Sequence, residues 1–225
     1  MKPQRTACAR LTGEPRAKAL AVATTLLVSA GSALAADYDE SLLGDLSGNR
    51  LAPSFWALTD GPVGSNGLTG NNVLSGRTGR SLGVVDIDYV NVSVPQGFEL
   101  SALLVGNSTT SSGALGSFIG LAAGNTMPVS ANALSAVGLL GWRHYTQADR
   151  MRNILPDMGS AGQGATGFTG PLPAGDYTLW IQELATGSYN YRFNLQISPV
   201  PEPGAAALLV AGLVLLGGMA RRSRR

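Results

Sequence analysis

Histidine, cysteine and lysine are almost missing from this chain. His144 is the single histidine and Cys8 the single cysteine among 225 residues. One histidine excludes a metal centre built on two imidazoles. Cys8 lies in the N-terminal leader, so the body after residue 36 can form no disulfide. It also lacks the Leu-x-x-Cys setting of a lipoprotein signal, because Leu11 follows it. Charge is scarce, at 13% of residues, and its sign is segregated. Lys2, Arg5, Arg10, Arg16 and Lys18 lie at the start, and Arg221, Arg222, Arg224 and Arg225 at the end. Between them, residues 37–198 carry seven arginines and no lysine against twelve carboxylates, a balance of −5. The formal net charge of +2 therefore comes from the two ends, and no nucleic-acid partner is expected. Long helical periodicities are scarce, and there is neither a solenoid repeat nor the regular Thr-x-Thr array that a flat ice-binding face would need.

What is present is most specific at the ends. Ala17 to Ala33 is apolar and follows the basic leader. Ala33-Leu34-Ala35 offers a signal peptidase its small-x-small pattern, so residues 1–36 read as a signal peptide cut after Ala35 or Ala36. At the other end Pro201-Glu202-Pro203-Gly204 precedes an uncharged run from Ala205 to Ala220, with Leu208, Leu209, Leu213, Leu215 and Leu216 as its bulk. At about 1.5 Å per residue that run spans roughly 24 Å, slightly short of a ~30 Å hydrocarbon core. Snorkelling arginine stems make up the difference. The arginines resist translocation and are expected to stay cytoplasmic.

The order Pro-Glu-Pro, apolar helix, arginine tail over Val200–Arg225 resembles the PEP-CTERM sorting signal of Gram-negative bacteria, a segment also labelled an ice-binding protein C-terminal domain. The resemblance implies that Pro201, Glu202 and Pro203 are recognised by an exosortase, a membrane-embedded cysteine transpeptidase. It implies that residues 205–220 are a transient inner-membrane anchor, with Arg221, Arg222, Arg224 and Arg225 as the stop-transfer tail. These residues would be substrate rather than active site.

The body, residues 37–198, is long enough for one domain with a core of its own. Tyr189, Tyr191, Phe193, Leu195 and Ile197 alternate with Asn190, Arg192, Asn194 and Gln196, the period of a strand with one buried face. Residues 176–183 alternate likewise, and the five-residue link containing Gly187 predicts a hairpin between the two. A second pair is expected earlier: Asp88, Val90, Val92 and Val94 form one face of a strand, Pro95-Gln96-Gly97 turns, and Phe98 to Val105 follows. Ser117–Leu121 and Ala136–Trp142 read as short strands and 147–155 as a helical turn. Residues 60–80 and 153–171 read as loops. The sum is a mainly β fold, an antiparallel β-sandwich or jelly roll. Asp86-Ile87-Asp88-Tyr89 through Val94-Pro95, with Gly175-Asp176-Tyr177-Thr178-Leu179 and Tyr191–Leu195, resembles bacterial pre-peptidase C-terminal (PPC) domains. That resemblance implies an accessory, non-catalytic module.

The inventory for chemistry is thin. Gly79-Arg80-Ser81-Leu82-Gly83 has the Gly-x-Ser-x-Gly pattern of a serine hydrolase, which needs a strand before the serine and a helix after it. A strand is expected after Ser81 instead. Asp86 and Asp88, two apart on one strand, read as an exposed strand start. Hard carboxylate oxygens there, or in Asp37-Tyr38-Asp39-Glu40, would suit Ca²⁺. No Asp-x-Asp-x-Asp-Gly loop supports this, so no metal, cofactor or catalytic residue is assigned. Trp142-Arg143-His144-Tyr145 and Trp180 could contact sugar. The expectation is a non-catalytic exported protein, handled by signal peptidase and exosortase and placed at the cell surface or in the extracellular polysaccharide. A carbohydrate-binding module or an envelope-polymer hydrolase is the alternative.

Overall fold

The computed structural model describes residues 37–60, 72–113, 116–160, 162, 164–200 and 212. The expected signal peptide, the Pro-Glu-Pro motif, the arginine tail and all but Gly212 of the apolar run lie outside the described residues. Within them no helix is long and apolar enough to cross a membrane. The fold is mainly β, a curled and largely antiparallel sheet with 49% strand and 9% helix.

Among the described residues nine strands, two short α-helices and a 3-10 turn at Gln147–Asp149 follow one another. They are β1 (Tyr38–Asp39), α1 (Glu40–Leu43), β2 (Ser54–Ala57), β3 (Asn72–Ser81), β4 (Val84–Val94) and β5 (Phe98–Val105). Then come β6 (Ser117–Ala123), β7 (Gly141–His144), α2 (Leu155–Gly159), β8 (Gly175–Glu183) and β9 (Gly187–Pro199). The sheet order is β5-β9-β3-β4-β8-β6-β7, with β1 added in parallel to β3 and β2 in parallel to β4. β4 is the shared element. Its first residues, Val84 to Asp86, pair with β3, and from Ile87 to Val94 it pairs with β8. The sheet therefore has two arms, β5-β9-β3 and β4-β8-β6-β7, and both send apolar side chains into one core. Phe193, Leu195 and Leu74 come from the first arm and Val90, Leu179 and Ile181 from the second, all fully buried.

The alternation in β9 is as expected: Tyr191, Phe193, Leu195 and Ile197 are buried and the residues between them are not. The expected pairings are not. β8 and β9 form no hairpin, since β8 pairs with β4 and β6 while β9 pairs with β3 and β5. Neither do β4 and β5, because β5 joins β9. In both cases the short link crosses from one arm to the other. Alternation reports which residues face apolar surroundings and is blind to which neighbour supplies the hydrogen bonds.

The true hairpin joins β3 to β4 through Leu82-Gly83, both at positive φ, 51° and 85°. Such a two-residue turn suits the sheet's twist but strains a leucine. Leu82 is fully exposed, so nothing compensates for the strain. Leu82→Asn is expected to stabilise the fold by about 1 kcal/mol in denaturant melts, since asparagine tolerates that conformation.

Three further expectations are corrected. Residues 72–81 are a ten-residue strand rather than loop: hydrogen bonding to β9 along eight positions overrides a sequence rich in Gly, Ser and Asn. Residues 153–171 contain α2, which buries Leu155 and Met158. The strand expected at 136–142 lies at 141–144, where Trp142 and Arg143 pair with Gly120 and Ile119. β8 also has both faces covered. Residues 127–139 pack Met127, Val129 and Leu139 with Tyr89, Ala122 and Trp180 into a second core on the outer face of its arm.

Candidate functional site

The site begins with an anomaly in β4. Asp88 is in phase with Val90, Val92 and Val94, the face that enters the core, and none of its surface is exposed. This corrects the expectation of an exposed strand start. Neither of its carboxylate oxygens has a hydrogen-bond partner.

The N-terminal segment folds over this carboxylate. β1 adds Tyr38 and Asp39 beside Leu74 and Ser75 of β3. Asp39 caps α1, accepting hydrogen bonds from Ser41 N at 2.9 Å and Ser41 Oγ at 2.6 Å. Gly44, at φ 96°, ends the helix and turns the chain back through Asp45. Glu40 is thereby laid across Gly76 of β3, where a Cβ would collide with its carboxylate and with the Tyr191 hydroxyl. Glu40 Oε1 accepts from Tyr191 Oη at 2.8 Å and Leu46 N at 3.3 Å, and Oε2 from Arg77 N at 2.8 Å. Tyr191 has one hydroxyl proton and donates it to Glu40, which leaves Asp88 without it. One oxygen from each of Glu40, Asp45 and Asp88 lies within 4.8 Å of the others. Asp45 is exposed, and Glu40 and Asp45 line an open groove of about 640 Å³ shared with Asp86, Asn190 and Ser75.

The electrostatics follow from burial without a counter-ion. Burial first, then the Glu40 charge and the charges of Asp86 and Asp45, push the Asp88 carboxyl up to about 9; the Tyr191 hydroxyl is close enough to pull it down, but its proton is aligned on Glu40. Burial, with a smaller push from Asp45, raises Glu40 too, against the hydrogen bonds from Arg77, Tyr191 and Leu46. Tyr191 is raised by burial and by both carboxylates.

Glu183 is the informative contrast. It is equally buried, but Ser112 N, Ser112 Oγ, Ser117 Oγ and Ala185 N all donate to it, at 3.1, 2.8, 2.5 and 3.0 Å. Burial raises its carboxyl, and the hydrogen bonds together outweigh that and hold it below the usual range. Its folded pKa is depressed, so its stabilisation is present at neutral pH and is lost as acid titrates it. Glu183→Gln is expected to cost about 2 kcal/mol at pH 7, because an amide NH₂ would face donors, and to cost less at pH 3 than at pH 7. Urea melts at the two pH values measure the difference.

The other candidates are dispersed. Ser81 ends β3, the Leu82-Gly83 turn and then β4 follow it, and no helix lifts it out of the sheet. His144 is on β7, four places along the sheet order from β3, with its Nδ1 3.1 Å from Ser117 O. Of the aromatic group, Tyr145 is buried at 1% exposure, while Trp180, at 4%, lines an open cavity of about 200 Å³ with Phe118, Trp142 and His144. Trp142 is half-buried and stacks on Phe118, with ring centroids 6.0 Å apart. Arg143 is committed to Asp149, at 2.8 Å, and to Asp157.

Sequence reasoning missed Asp45 and Tyr191 as partners of Glu40 and Asp88. The available signal was an aspartate in register with three valines, a position that normally holds an apolar residue. Comparison with family models, curated proteins and solved structures gives no match to this chain.

Proposed function

We infer that this is a non-catalytic exported protein. A signal peptide over residues 1–36 takes it across the inner membrane, and the segment from 199 to 225 then holds it there. Exosortase processes it near Pro201, Glu202 and Pro203, and the body is placed at the cell surface or in the extracellular polysaccharide. The observation that carries this reading is the ordered triplet of Pro-Glu-Pro, sixteen uncharged residues from Ala205 to Ala220, and an arginine cluster. The fold supports it at the junction. β9 ends at Pro199, and Val200 N donates to Gly97 O at 2.8 Å as the last backbone bond of the described sheet. The motif thus follows directly on the last strand of the described sheet.

The finer reading of the body is a PPC-like β-sandwich, with the two arms of the curled sheet as its layers. The pairing of β4 with β8, which places Val92 opposite Tyr177 and Asn91 opposite Thr178, supports it. Such a body acts as an accessory module, contacting matrix polymer rather than transforming it.

Mass spectrometry of the protein from a Gram-negative host with and without exosortase is the test. With the enzyme, the expected product in the medium starts at Ala36 or Asp37 and ends near Pro201. Without it, or with Glu202→Ala, the chain is expected in the membrane fraction with residues 205–225 attached. Recovery from the cytosol with both ends intact would overturn the reading.

A further inference from the structure

We propose that Glu40, Asp45 and Asp88 form a calcium site that staples the N-terminal segment of the body to the sheet. Three carboxylate oxygens from separate parts of the chain lie within 4.8 Å of one another. An ion at the centre of such a triangle lies no more than about 2.8 Å from each oxygen, so side-chain shifts of a few tenths of an ångström bring all three to a Ca²⁺–oxygen distance of about 2.4 Å. The donor set is oxygen only, with no imidazole or thiolate, which selects a hard cation over zinc or copper.

A carboxylate cluster alone would not carry this. The independent observation is Asp88: wholly buried, aimed at the other two, and with both oxygens lacking any hydrogen bond. Proteins of this size keep few such atoms, and each calls for a partner. Among the described residues no cation supplies one, and Arg192, which lines the same groove, acts on Asp39 instead. Among the described residues the ion pairs join Arg143 and Arg152 to Asp149 and Asp157, and none reaches this cluster. Arg77 meets Glu40 through its backbone, while its guanidinium turns to Ser188 Oγ at 3.1 Å. Glu183 shows what the same fold does with a buried carboxylate meant to stand without an ion: it surrounds it with donors.

Ca²⁺ is favoured over Mg²⁺ because it accepts irregular geometry and more ligands. The groove beside Glu40 and Asp45 gives an entry path and room for the waters that complete the shell. The consequence is local. β1 is held by two residue pairs, and an ion bridging Glu40 and Asp45 to β4 would fix that segment to the strand both arms share. The assignment does not depend on how the chain is sorted.

The test is calorimetric titration of CaCl₂ into the full chain, purified in detergent and stripped with EDTA. One ion per chain is expected, with Kd on the order of 10⁻⁴ M, and weaker binding of MgCl₂. Asp88→Asn and Asp45→Asn should each weaken binding about tenfold or more, while Asp176→Asn, an exposed carboxylate on β8, should not. Asp45 is exposed, so its variant keeps the test decisive even if the Asp88 variant folds poorly. No heat with the unaltered chain, unchanged affinity in Asp45→Asn, or tighter binding of Mg²⁺ would each overturn the proposal.

Discussion

Asp88→Asn is expected to make the calcium-free protein more stable, and increasingly so as the pH rises. The folded chain holds the Asp88 proton up to about pH 9, whereas an unfolded aspartate loses it near the ordinary value of 3.8. Between those limits the native state binds one more proton than the unfolded state, so stability falls with rising pH. The slope is about 1.4 kcal/mol per pH unit for one group. Glu40 on α1, Asp45 in the loop after it, Asp86 on β4 and the Tyr191 hydroxyl on β9 face or surround the same carboxyl, and the three acids add to the penalty. An asparagine cannot ionise, so its melts in EDTA should lack this component. From pH 6 to pH 8 the gap between variant and parent should widen by about 3 kcal/mol, the same slope taken over two units. Parallel pH profiles for the two proteins would show that the Asp88 carboxyl is not held protonated. Saturating calcium should reverse the order, because the ion takes the place of the proton in the parent and finds a weaker ligand in the variant.

Phe193→Ala is the second large effect, an expected loss of about 3–5 kcal/mol. The ring is wholly buried, stacked on Tyr191 with centroids 5.8 Å apart and met edge-on by Tyr145 at 5.2 Å. Its strand is fixed on both sides, opposite Leu74 of β3 and Val105 of β5. The backbone cannot close over the gap, so most of the removed volume should persist as a cavity. Urea melts should show a lower midpoint with an unchanged slope, since the same surface is exposed on unfolding. A cost under about 1 kcal/mol would mean that the core relaxes around the missing ring.

The β class and most strand positions could be read from the sequence because burial on one face leaves a two-residue period. β9 and β4 were plain for that reason. β3 was hidden: Asn72, Ser75, Gly76, Thr78 and Gly79 carry no period, and its place is fixed by neighbours far along the chain. Pairing was illegible as well. The short links after β4 and β8 look like hairpin turns in sequence and serve as crossings between arms. The carboxylate cluster fails to show for a related reason. Glu40 and Asp45 are local to each other, but Asp88 and Tyr191 reach them only through the curl of the sheet. The one legible hint was a charged residue in phase with valines.

The position of β9 has a mechanical consequence. It lies between β5 and β3, pairing with β3 from Ser188 to Leu195 and with β5 from Phe193 to Pro199, so the two ladders overlap at Phe193–Leu195. A tug applied beyond Val200 therefore loads the β5 ladder first, from Pro199 back along the strand, and meets the β3 ladder from Leu195 on. The domain is roped by a strand one place in from its edge, and whatever grips that end must part the outer ladder before it reaches the doubled stretch.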